Sequence, residues 1–335
     1  LKKARFLFGC VKYPLFTKLA TRVAPVLMNM NFPFVNGIMR NTIFNQFVGG
    51  ETLEESARVV KNLSAYQVQV ILDYGVEAKE GEANFDDVTE QIIKAVEFAA
   101  TQTNIPYVSV KLTGIASQKV LEHLNEAPRL RSGVHDSEYD SVAWQNVKER
   151  MFAICEAGKE NGIGILIDAE ETWIQDPIDR IAMELMSIFN KEKVVVYNTY
   201  QLYRTDRLNF LKMSHRIAKE GKFLLGAKLV RGAYMEKERE RAIAKGYTSP
   251  IHENKEATDQ DYDAAVAYCL DHNAEIALLL ASHNELSTLK ATNKMKEFNI
   301  DKKAAHVHFS QLFGMSDHIT FNMALEGYNS SKYLP

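Results

Sequence analysis

The chain has 335 residues, of which 46% are hydrophobic and 25% charged, proportions that are ordinary for a globular enzyme. Its net charge of -3 gives no reason to expect binding to nucleic acid. Its 3 cysteines are far apart and odd in number, which argues against a disulfide framework or a zinc knuckle.

The first 66 residues are expected to form a helical segment that precedes the main domain. Residues 1–40 are basic and apolar with several aromatics, a composition that fits packing helices and also fits a membrane-surface or partner-binding arm. The chain begins at Leu1 without a methionine, so we expect the natural protein to begin earlier. Any transit peptide would also precede Leu1.

From residue 67 onward, short apolar runs alternate with longer amphipathic stretches. The apolar runs predict strands at residues 67–75, 105–113, 162–169, 194–201, 223–233, 275–282, 306–313 and, more weakly, 331–334. The amphipathic stretches predict helices at residues 87–103, 141–160, 177–190, 205–219, 259–272, 286–298 and 317–326. The longest insertion between these elements spans residues 117–140.

Apolar strands that alternate with helices indicate a parallel sheet covered on both faces. Eight strands at this spacing predict an α/β fold, a (βα)8 TIM-like barrel over residues 67–335. The eighth helix of such a barrel is missing, because the eighth apolar run ends at Pro335.

Polar or ionisable side chains lie at or just after the carboxyl end of every predicted strand, which is where barrel enzymes carry their active residues. They are Asp73, Lys111, Asp168 with Glu170 and Glu171, Gln201, Arg231 with Tyr234, His283 with Asn284, Gln311 and Tyr333. One such residue would be an ordinary cap or surface pair. Many of them on one rim are costly to bury unless a ligand or partners compensate their charges.

Two kinds of cofactor site can be tested directly against the sequence. Residues 162–164 give G-x-G without a third glycine at the dinucleotide-binding spacing, and no phosphate-binding P-loop is present. A metal site stays open, because His306 and His308 would point to one face of a strand and could join Asp168 and His283. The histidine pair lies at the start of its strand, however, which is the wrong end of a barrel and favours a structural role.

The segment KLVRGAY, residues 228–234, resembles the fifth-strand motif of the proline dehydrogenase (proline oxidase) family, monofunctional type, whose members are flavin-dependent (βα)8 enzymes. Further motifs of that family follow in order: VSVKLTG (108–114), LIDAEET (166–172), YNTYQ (197–201), ASHNE (281–285), QLFGM (311–315) and YLP (333–335). FVGGE (47–51) resembles the segment that precedes the barrel, so the resemblance covers about residues 40–335.

The resemblance implies oxidation of L-proline to Δ1-pyrroline-5-carboxylate, the first step of proline catabolism. FAD would take the electrons and pass them to a membrane quinone, which implies peripheral membrane contact. The implied location is the bacterial cytoplasm with inner-membrane association, or the matrix side of the mitochondrial membrane.

The resemblance also implies roles for individual residues. Asp168 and Lys228 match catalytic positions. Substrate-binding positions are matched by Lys111, Asp168, Tyr234, Leu312 and Tyr333. Cofactor-binding positions are matched by Ala169, Gln201, Lys228, Val230, Arg231, Gly232, Ala233, Ser282, His283 and Asn284. No metal site is implied.

The chemistry of these residue types fits that assignment. Arg231 and Lys228 supply positive charge where an electron-accepting ring becomes more anionic. Gly232 and Ala233 allow a close approach of the backbone to a cofactor, and Tyr234 can cover an apolar ligand face. The resemblance implies an ion pair of Asp168 with Lys111, so Asp168 is expected to organise charge rather than act as a base, because such pairing lowers the pKa of a carboxyl group.

One feature of the family is missing from this chain. The family binds the substrate carboxylate through two adjacent arginines on the eighth helix, which would follow Pro335. We therefore expect the natural protein to continue beyond Pro335.

Three alternatives stay open. The first is a hydroxyproline dehydrogenase on the same fold, although Tyr333 would crowd a ring hydroxyl. The second is a metal-dependent barrel hydrolase that uses His283, His306, His308 and Asp168. The third is a non-catalytic barrel that acts as a binding or regulatory module.

Overall fold

The structure is a computed structural model, and it describes residues 44–74, 80–126 and 141–335. The basic, apolar stretch 1–40, for which packing helices or a surface arm were predicted, lies outside the described residues. Within the described residues, no helix is both long and apolar enough to cross a lipid bilayer.

Eight parallel strands close into a barrel in the order of the sequence. They are β1 Gln69–Asp73, β2 Tyr107–Val110, β3 Gly164–Ile167, β4 Val196–Gln201, β5 Leu225–Val230, β6 Ile276–Ala281, β7 Val307–Leu312 and β8 Ser330–Leu334. The barrel closes where β8 pairs with β1, with Tyr333 opposite Ile71. This confirms the predicted (βα)8 fold, including its weakly marked eighth strand.

Ten helices lie among the described residues. They are α1 Leu53–Ser64, α2 Glu82–Ala100, α3 Gln118–Glu126, α4 Val142–Asn161, α5 Thr172–Phe189, α6 Arg207–Glu220, α7 Met235–Lys245, α8 Lys255–Asp271, α9 Glu285–Glu297 and α10 Asp317–Leu325. Single helical turns occur at Asn45–Phe47 and Leu112–Gly114. The predicted division at residue 66 between a helical segment and the barrel stays a prediction.

Several predicted helix boundaries are wrong for identifiable reasons. Helix α5 begins at Thr172 rather than at residue 177. The Thr172 N–H, in the first turn of this helix, donates a hydrogen bond to the Glu238 carboxylate of another helix. Helix α8 begins earlier because the Asn254 side chain caps it. Helix α7 was not predicted, since its highly charged sequence buries only Glu238 and Ala242. Part of the predicted 117–140 insertion is helix α3.

Side chains alternate between the two faces of each strand, as the geometry of strands requires. The outward side chains pack against the helices and form the main core, which includes Val70, Val108 and Ile165. The inward side chains fill the barrel with a second, smaller cluster: Ile71, Tyr107, Leu166, Tyr197, Ala277, Leu279 and Tyr333. Above this plug, several of the next inward positions are polar, among them Asp73, Asp168, Thr199 and Ser310, and they line a cavity.

Residues 44–50 pack at the same end of the barrel. The Gly49 N–H donates to the Pro335 carbonyl at 2.8 Å. A side chain at Gly49 would lie 2.4 Å from the Leu334 Cγ atom, so only glycine permits this contact. The segment that precedes the barrel in the chain therefore lies beside the end of β8.

Candidate active site

Asp168 lies at the centre of a charged cluster at the carboxyl end of the barrel. It follows β3, and its Oδ1 atom accepts a hydrogen bond from the Lys228 ammonium at 2.5 Å. Its Oδ2 atom accepts one from the Tyr333 hydroxyl at 2.6 Å and lies 3.2 Å from the Lys111 Nζ atom. These residues come from β2, β3, β5 and β8, so the closed barrel is what brings them together.

The cluster extends to a second carboxylate, Asp73, at the end of β1. The Lys111 Nζ atom lies 3.2 and 3.3 Å from its two carboxylate oxygens. The Ser109 hydroxyl also donates to Asp73, at 2.7 Å. Lys111 therefore bridges two carboxylates, and the two lysines and two aspartates of the cluster carry no net charge.

The surroundings of Asp168 decide its protonation state. Burial would raise the pKa of Asp168, but the Lys228 and Lys111 ammonium groups lower this pKa below its ordinary value overall. Burial opposes the charged form of Lys111, whereas the Asp168 and Asp73 carboxylates favour it. The carboxylates prevail, so the pKa of Lys111 is raised. Asp168 is thus held as a carboxylate, in agreement with the expectation that it organises charge.

Tyr333 is fixed on two sides. Its hydroxyl is committed to Asp168, and its ring centroid lies 4.6 Å from the Lys228 Nζ atom. Burial and the Asp168 charge raise the pKa of Tyr333 well above its ordinary value. The tyrosine therefore acts as a neutral hydrogen-bond donor and as an aromatic wall.

All of the predicted site residues line one cavity of about 580 Å³ at the carboxyl end of the barrel. They are Lys111, Asp168, Ala169, Gln201, Lys228, Val230, Arg231, Gly232, Ala233, Tyr234, Ser282, His283, Asn284, Leu312 and Tyr333. The charged cluster forms the floor, and the residues after β5 and β6 form a wall. The structure thus brings these residues together, while the role of each one stays a prediction.

Sequence reasoning missed several residues that line the same cavity: Asp73, Thr199, Lys255, Ser310 and Gln311. Thr199 and Ser310 lie two positions before Gln201 and Leu312, so the alternation of strand side chains would have placed them on the inward face. Asp73 and Gln311 were recognised as polar strand ends, but they were not assigned to the site.

A cationic platform forms one wall of the cavity. The Arg231 guanidinium donates to Asp259 at 2.7 Å, to Ser282 at 2.7 Å and to Ser287 at 2.9 Å. It also stacks over the Tyr262 ring, 4.2 Å from the ring centroid. This guanidinium is therefore preorganised as a fixed positive charge.

A second cavity, of about 900 Å³, adjoins the first and shares the segment from Arg231 to Tyr234 and Lys255 with it. Its other walls come mainly from helix α7 and from the segment before helix α8, together with Tyr203 after β4 and Thr258 within helix α8. They are Tyr203, Met235, Glu236, Lys237, Arg239, His252, Glu253, Asn254 and Thr258. The two cavities thus meet along this shared segment, and lysines and arginines outnumber carboxylates among the residues that line them.

Gly232 lies at the junction of the two cavities. Its φ of 128° is one that side-chain-bearing residues rarely adopt. A Cβ atom there would also lie 2.5 Å from the Tyr203 ring. The glycine therefore allows the backbone to turn out of β5 against this ring, and it leaves bare backbone facing the ligand space.

The buried carboxyl group of Glu170 supports the site from behind. It accepts hydrogen bonds from the Thr113 N–H at 3.1 Å and from the Thr113 hydroxyl at 2.5 Å. The Glu170 N–H donates to Gln175 at 2.8 Å, and its carbonyl accepts from Gln201 at 2.7 Å. Burial raises the pKa of Glu170 to about 7. Glu170 thus joins the loops that carry Lys111 and Asp168.

The structure does not bring the four residues of the metal hypothesis together. His308 lies inside the barrel near the amino ends of the strands, with its Nδ1 atom 2.9 Å from the Tyr107 hydroxyl. Asp168 and His283 lie at the opposite end, in the cavity. The described residues contain no group of three or more His, Cys, Asp or Glu side chains that could hold a metal ion. The structural role that was favoured for the histidine pair fits this placement.

Comparisons with known proteins agree with the geometry. The family model for proline dehydrogenase matches residues 56–335. The mitochondrial proline dehydrogenase 1 of Dictyostelium discoideum is 31% identical over 339 residues, which cover 90% of this chain and 59% of that protein. The hydroxyproline dehydrogenase of Xenopus laevis is 32% identical over 330 residues, which cover 89% of this chain and 70% of that protein.

A solved structure shows the same fold. It is proline utilization A from Bdellovibrio bacteriovorus, inactivated by N-propargylglycine, and it aligns with a TM-score of 0.76 at 22% identity. The alignment covers 90% of this chain and 32% of that chain. The chain thus spans 59% of the length of the Dictyostelium relative and a smaller share of this larger protein.

Proposed function

Because this chain belongs to the proline dehydrogenase family, we propose that it oxidises L-proline to Δ1-pyrroline-5-carboxylate with FAD as the electron acceptor. The observation that carries the proposal is the arrangement around Asp168. A neutral cluster of two lysines, two aspartates and a tyrosine forms the floor of a cavity whose wall holds the fixed Arg231 cation.

The residues present fit a flavin dinucleotide. The two adjoining cavities, of about 580 and 900 Å³, are within the usual size range of ligand sites and together suit an elongated ligand. Arg231 and Lys255 face the shared region, where they would meet a negatively charged linker such as a pyrophosphate. Ser310 offers a buried hydroxyl that has no hydrogen-bond partner among the described residues.

We assign the ring-binding end of the cofactor to the cavity above Asp168. Flavin supplies, when bound, an acceptor for the hydride that leaves the substrate carbon with its two electrons. Gln201, Lys228, Val230, Ser282, His283 and Asn284 would hold this end, and Gly232 with Ala233 would present bare backbone to it. Ala169 adds a small side chain to the same wall.

The charged cluster would prepare the amine of proline for oxidation. An amine loses hydride from the adjacent carbon only when its nitrogen is neutral, since a protonated nitrogen has no lone pair to stabilise the iminium product. The cluster has no net charge to stabilise an ammonium, and the Lys111 and Lys228 ammonium groups disfavour a third cation beside them. Asp168 holds both lysines in place, so its role is positioning and charge balance.

Apolar and aromatic side chains would hold the proline ring. Tyr333, Tyr234 and Leu312 reach into the cavity from three different strand ends. Leu312 is 46% exposed, a high value for a leucine at the end of a barrel strand, so it has apolar surface available for a ligand. The ring would thus be enclosed between this leucine and the two tyrosines.

The electron acceptor and the location are part of the same proposal. Family resemblance supports transfer of electrons to a membrane quinone through peripheral membrane contact. The Dictyostelium relative is named as mitochondrial, and the Bdellovibrio structure comes from a bacterium. A mitochondrial protein and a bacterial protein therefore both occur among the similar proteins, and the choice between the bacterial inner membrane and the mitochondrial matrix side stays part of the proposal.

Hydroxyproline is a second candidate substrate, because a relative of similar identity is a hydroxyproline dehydrogenase. The structure favours proline, since Tyr333 is 8% exposed and fixed by both Asp168 and Lys228. It therefore cannot move aside for a ring hydroxyl without losing these contacts.

A steady-state assay decides between the two substrates. The flavin-loaded protein is given L-proline or trans-4-hydroxy-L-proline with a water-soluble quinone, and the cyclic imine product is identified by mass spectrometry. We expect kcat/KM for proline to exceed that for hydroxyproline by at least about tenfold, a difference of ~1.4 kcal/mol in transition-state binding. Equal values would contradict the assignment of Tyr333, and no imine from either substrate would contradict the proposed function.

A further inference from the structure

Lys332 and Tyr333 are neighbours on β8, and their side chains lie on opposite faces of the barrel wall. Tyr333 points inward to Asp168. The Lys332 side chain packs outside the barrel and is only 1% exposed. A lysine is rarely buried without partners, and burial lowers the pKa of Lys332 while Asp317 opposes that shift.

The partners of Lys332 all lie on one turn, residues 312–317, which connects β7 to α10. The Lys332 ammonium donates to the Met315 carbonyl at 2.5 Å and to the Leu312 carbonyl at 3.4 Å. It also pairs with the Asp317 carboxylate at 2.8 Å. One buried cation therefore holds the beginning, the middle and the end of the 312–317 turn.

The 312–317 turn has a backbone that needs such support. Gly314 has a φ of 74° and Ser316 a φ of 50°, so two of its residues are left-handed. Left-handed geometry is unfavourable at a residue that carries a side chain, such as Ser316. Ser316 makes no side-chain cap to α10. On the other side of the turn, the Gln46 side chain donates to the Gly314 carbonyl at 3.0 Å.

The 312–317 turn also sets two side chains of the candidate active site. Leu312 is its first residue, and its side chain lines the cavity. The Ser316 hydroxyl lies 2.9 Å from the His283 Nδ1 atom, and His283 lines the same cavity. A displacement of this turn would therefore move an apolar wall and an imidazole of the site together.

We propose that Lys332 is a positioning residue for substrate binding, because its buried ammonium fixes the 312–317 turn that presents Leu312 and His283 to the cavity. The inference rests on the proposed function for its effect on proline. The hold of Lys332 on the turn follows from the geometry alone. The two parts can be measured separately.

The first measurement is amide hydrogen exchange of the purified Lys332→Met protein. Met keeps an unbranched apolar stem that is one atom shorter than lysine, and it removes the cation. The amides of Phe313 and Met315, which donate within and beside the turn, should exchange at least about tenfold faster than in the wild type. The matched control is Lys302→Met, since Lys302 bonds Glu326 at the other end of α10. It should leave both amides unchanged.

The second measurement is steady-state kinetics of the flavin-loaded variants. Lys332→Met should raise KM for L-proline about tenfold and change kcat by less than about threefold, as expected when binding is lost equally in the ground state and the transition state. A merely structural role would lower the amount of active protein and leave KM unchanged. Lys302→Met should match the wild type in both constants.

A milder variant guards against failure to fold. Asp317→Asn removes one partner of Lys332 at a carboxylate that is 57% exposed, and it should raise KM in the same direction by a smaller factor. Exchange of the turn that is as slow in Lys332→Met as in the wild type would overturn the proposal. So would faster exchange with an unchanged KM. A wild type that does not oxidise proline would instead overturn the proposed function, and the exchange comparison would still decide whether Lys332 holds the turn.

Discussion

The ion pair between Lys228 and Asp168 allows a quantitative test of the electrostatics of the site. The side chains are 5% and 10% exposed, and their charged atoms are 2.5 Å apart. Asp168→Asn would keep the shape of the side chain but remove its charge. Lys111 would keep Asp73 as a partner, whereas Lys228 has no other acidic partner among the described residues.

The magnitude follows from what each variant leaves unpaired. Removing one member of a buried pair costs ~3–5 kcal/mol, and the Asn oxygen can still accept a hydrogen bond, so we expect ~3 kcal/mol for Asp168→Asn. Lys228→Met leaves Asp168 with Lys111 and Tyr333, so we expect ~1–2 kcal/mol. The double variant buries no unpaired charge. Its loss of unfolding free energy should therefore be smaller, by ~2 kcal/mol, than the sum of the losses in the two single variants.

The assay is equilibrium unfolding in urea of the four proteins of the cycle, without flavin and at neutral pH. A control is the ion pair of Lys148 and Glu184, whose charged atoms are 2.9 Å apart and whose side chains are 30% and 43% exposed. The same cycle there, with Lys148→Met and Glu184→Gln, should give a coupling below ~1 kcal/mol. A coupling below ~0.5 kcal/mol between Asp168 and Lys228 would refute the account of the cluster.

Three further predictions concern Glu170 beside the site, His308 inside the barrel and Gly232 at the junction of the two cavities. Burial raises the pKa of Glu170 from 4.5 to about 7, so the stability that it contributes is complete below pH 4.5 and is lost as the pH rises through about 7. The free energy of unfolding of the wild type, measured at pH 4.5 and 8, should therefore decline by ~3 kcal/mol, and Glu170→Gln should abolish this decline. Burial lowers the pKa of His308 from 6.5 to about 4, so its contribution to stability is complete above pH 6.5 and is lost as the pH falls through about 4. In urea unfolding across that range, the free energy of unfolding should fall less steeply with acid in His308→Gln than in the wild type, and an equal slope would contradict the lowered pKa of His308. Gly232→Ala places a Cβ atom 2.5 Å from the Tyr203 ring at a φ of 128°, so thermal unfolding should show a loss of ~1–3 kcal/mol, and wild-type stability would show that the backbone can relax there.

The repeating pattern of the sequence was sufficient to predict the barrel. Each strand is an apolar run because it is buried on both faces, and each polar strand end reaches the same rim. Asp73, Lys111, Asp168 and Tyr333 were therefore recognised at strand ends before their contacts were known. The alternation of side chains explains why they point into one cavity.

The resemblance implied the ion pair of Asp168 with Lys111, which the structure contains, but the contact of Asp168 with Lys228 could not be predicted from the sequence. Lys228 lies within β5, two residues before its end, and its pairing with Asp168 depends on the register of β3, β4 and β5 around the barrel. Register is a tertiary property, because it depends on how the strands stagger when the barrel closes. The family resemblance placed Lys228 beside a cofactor and gave no indication of this ion pair.

Helix α7 and Lys332 were missed for a different reason. The sequence of α7 has almost no apolar periodicity, because one of its faces lines a polar cavity and it is anchored through the carboxylate of Glu238. Lys332 lies in a short strand where a charged residue suggests exposure. Only the structure shows that its ammonium has a full set of partners on the neighbouring turn.

The most direct test of the proposed function is a visible absorption spectrum of the flavin-loaded protein before and after anaerobic addition of L-proline. The arrangement of Asp168, Lys228 and Tyr333 beneath the cavity predicts that the oxidised flavin spectrum bleaches with L-proline. D-proline is the control, and it should leave the spectrum unchanged. A protein that cannot be loaded with FAD, or a bound flavin that stays oxidised with L-proline, would contradict the account.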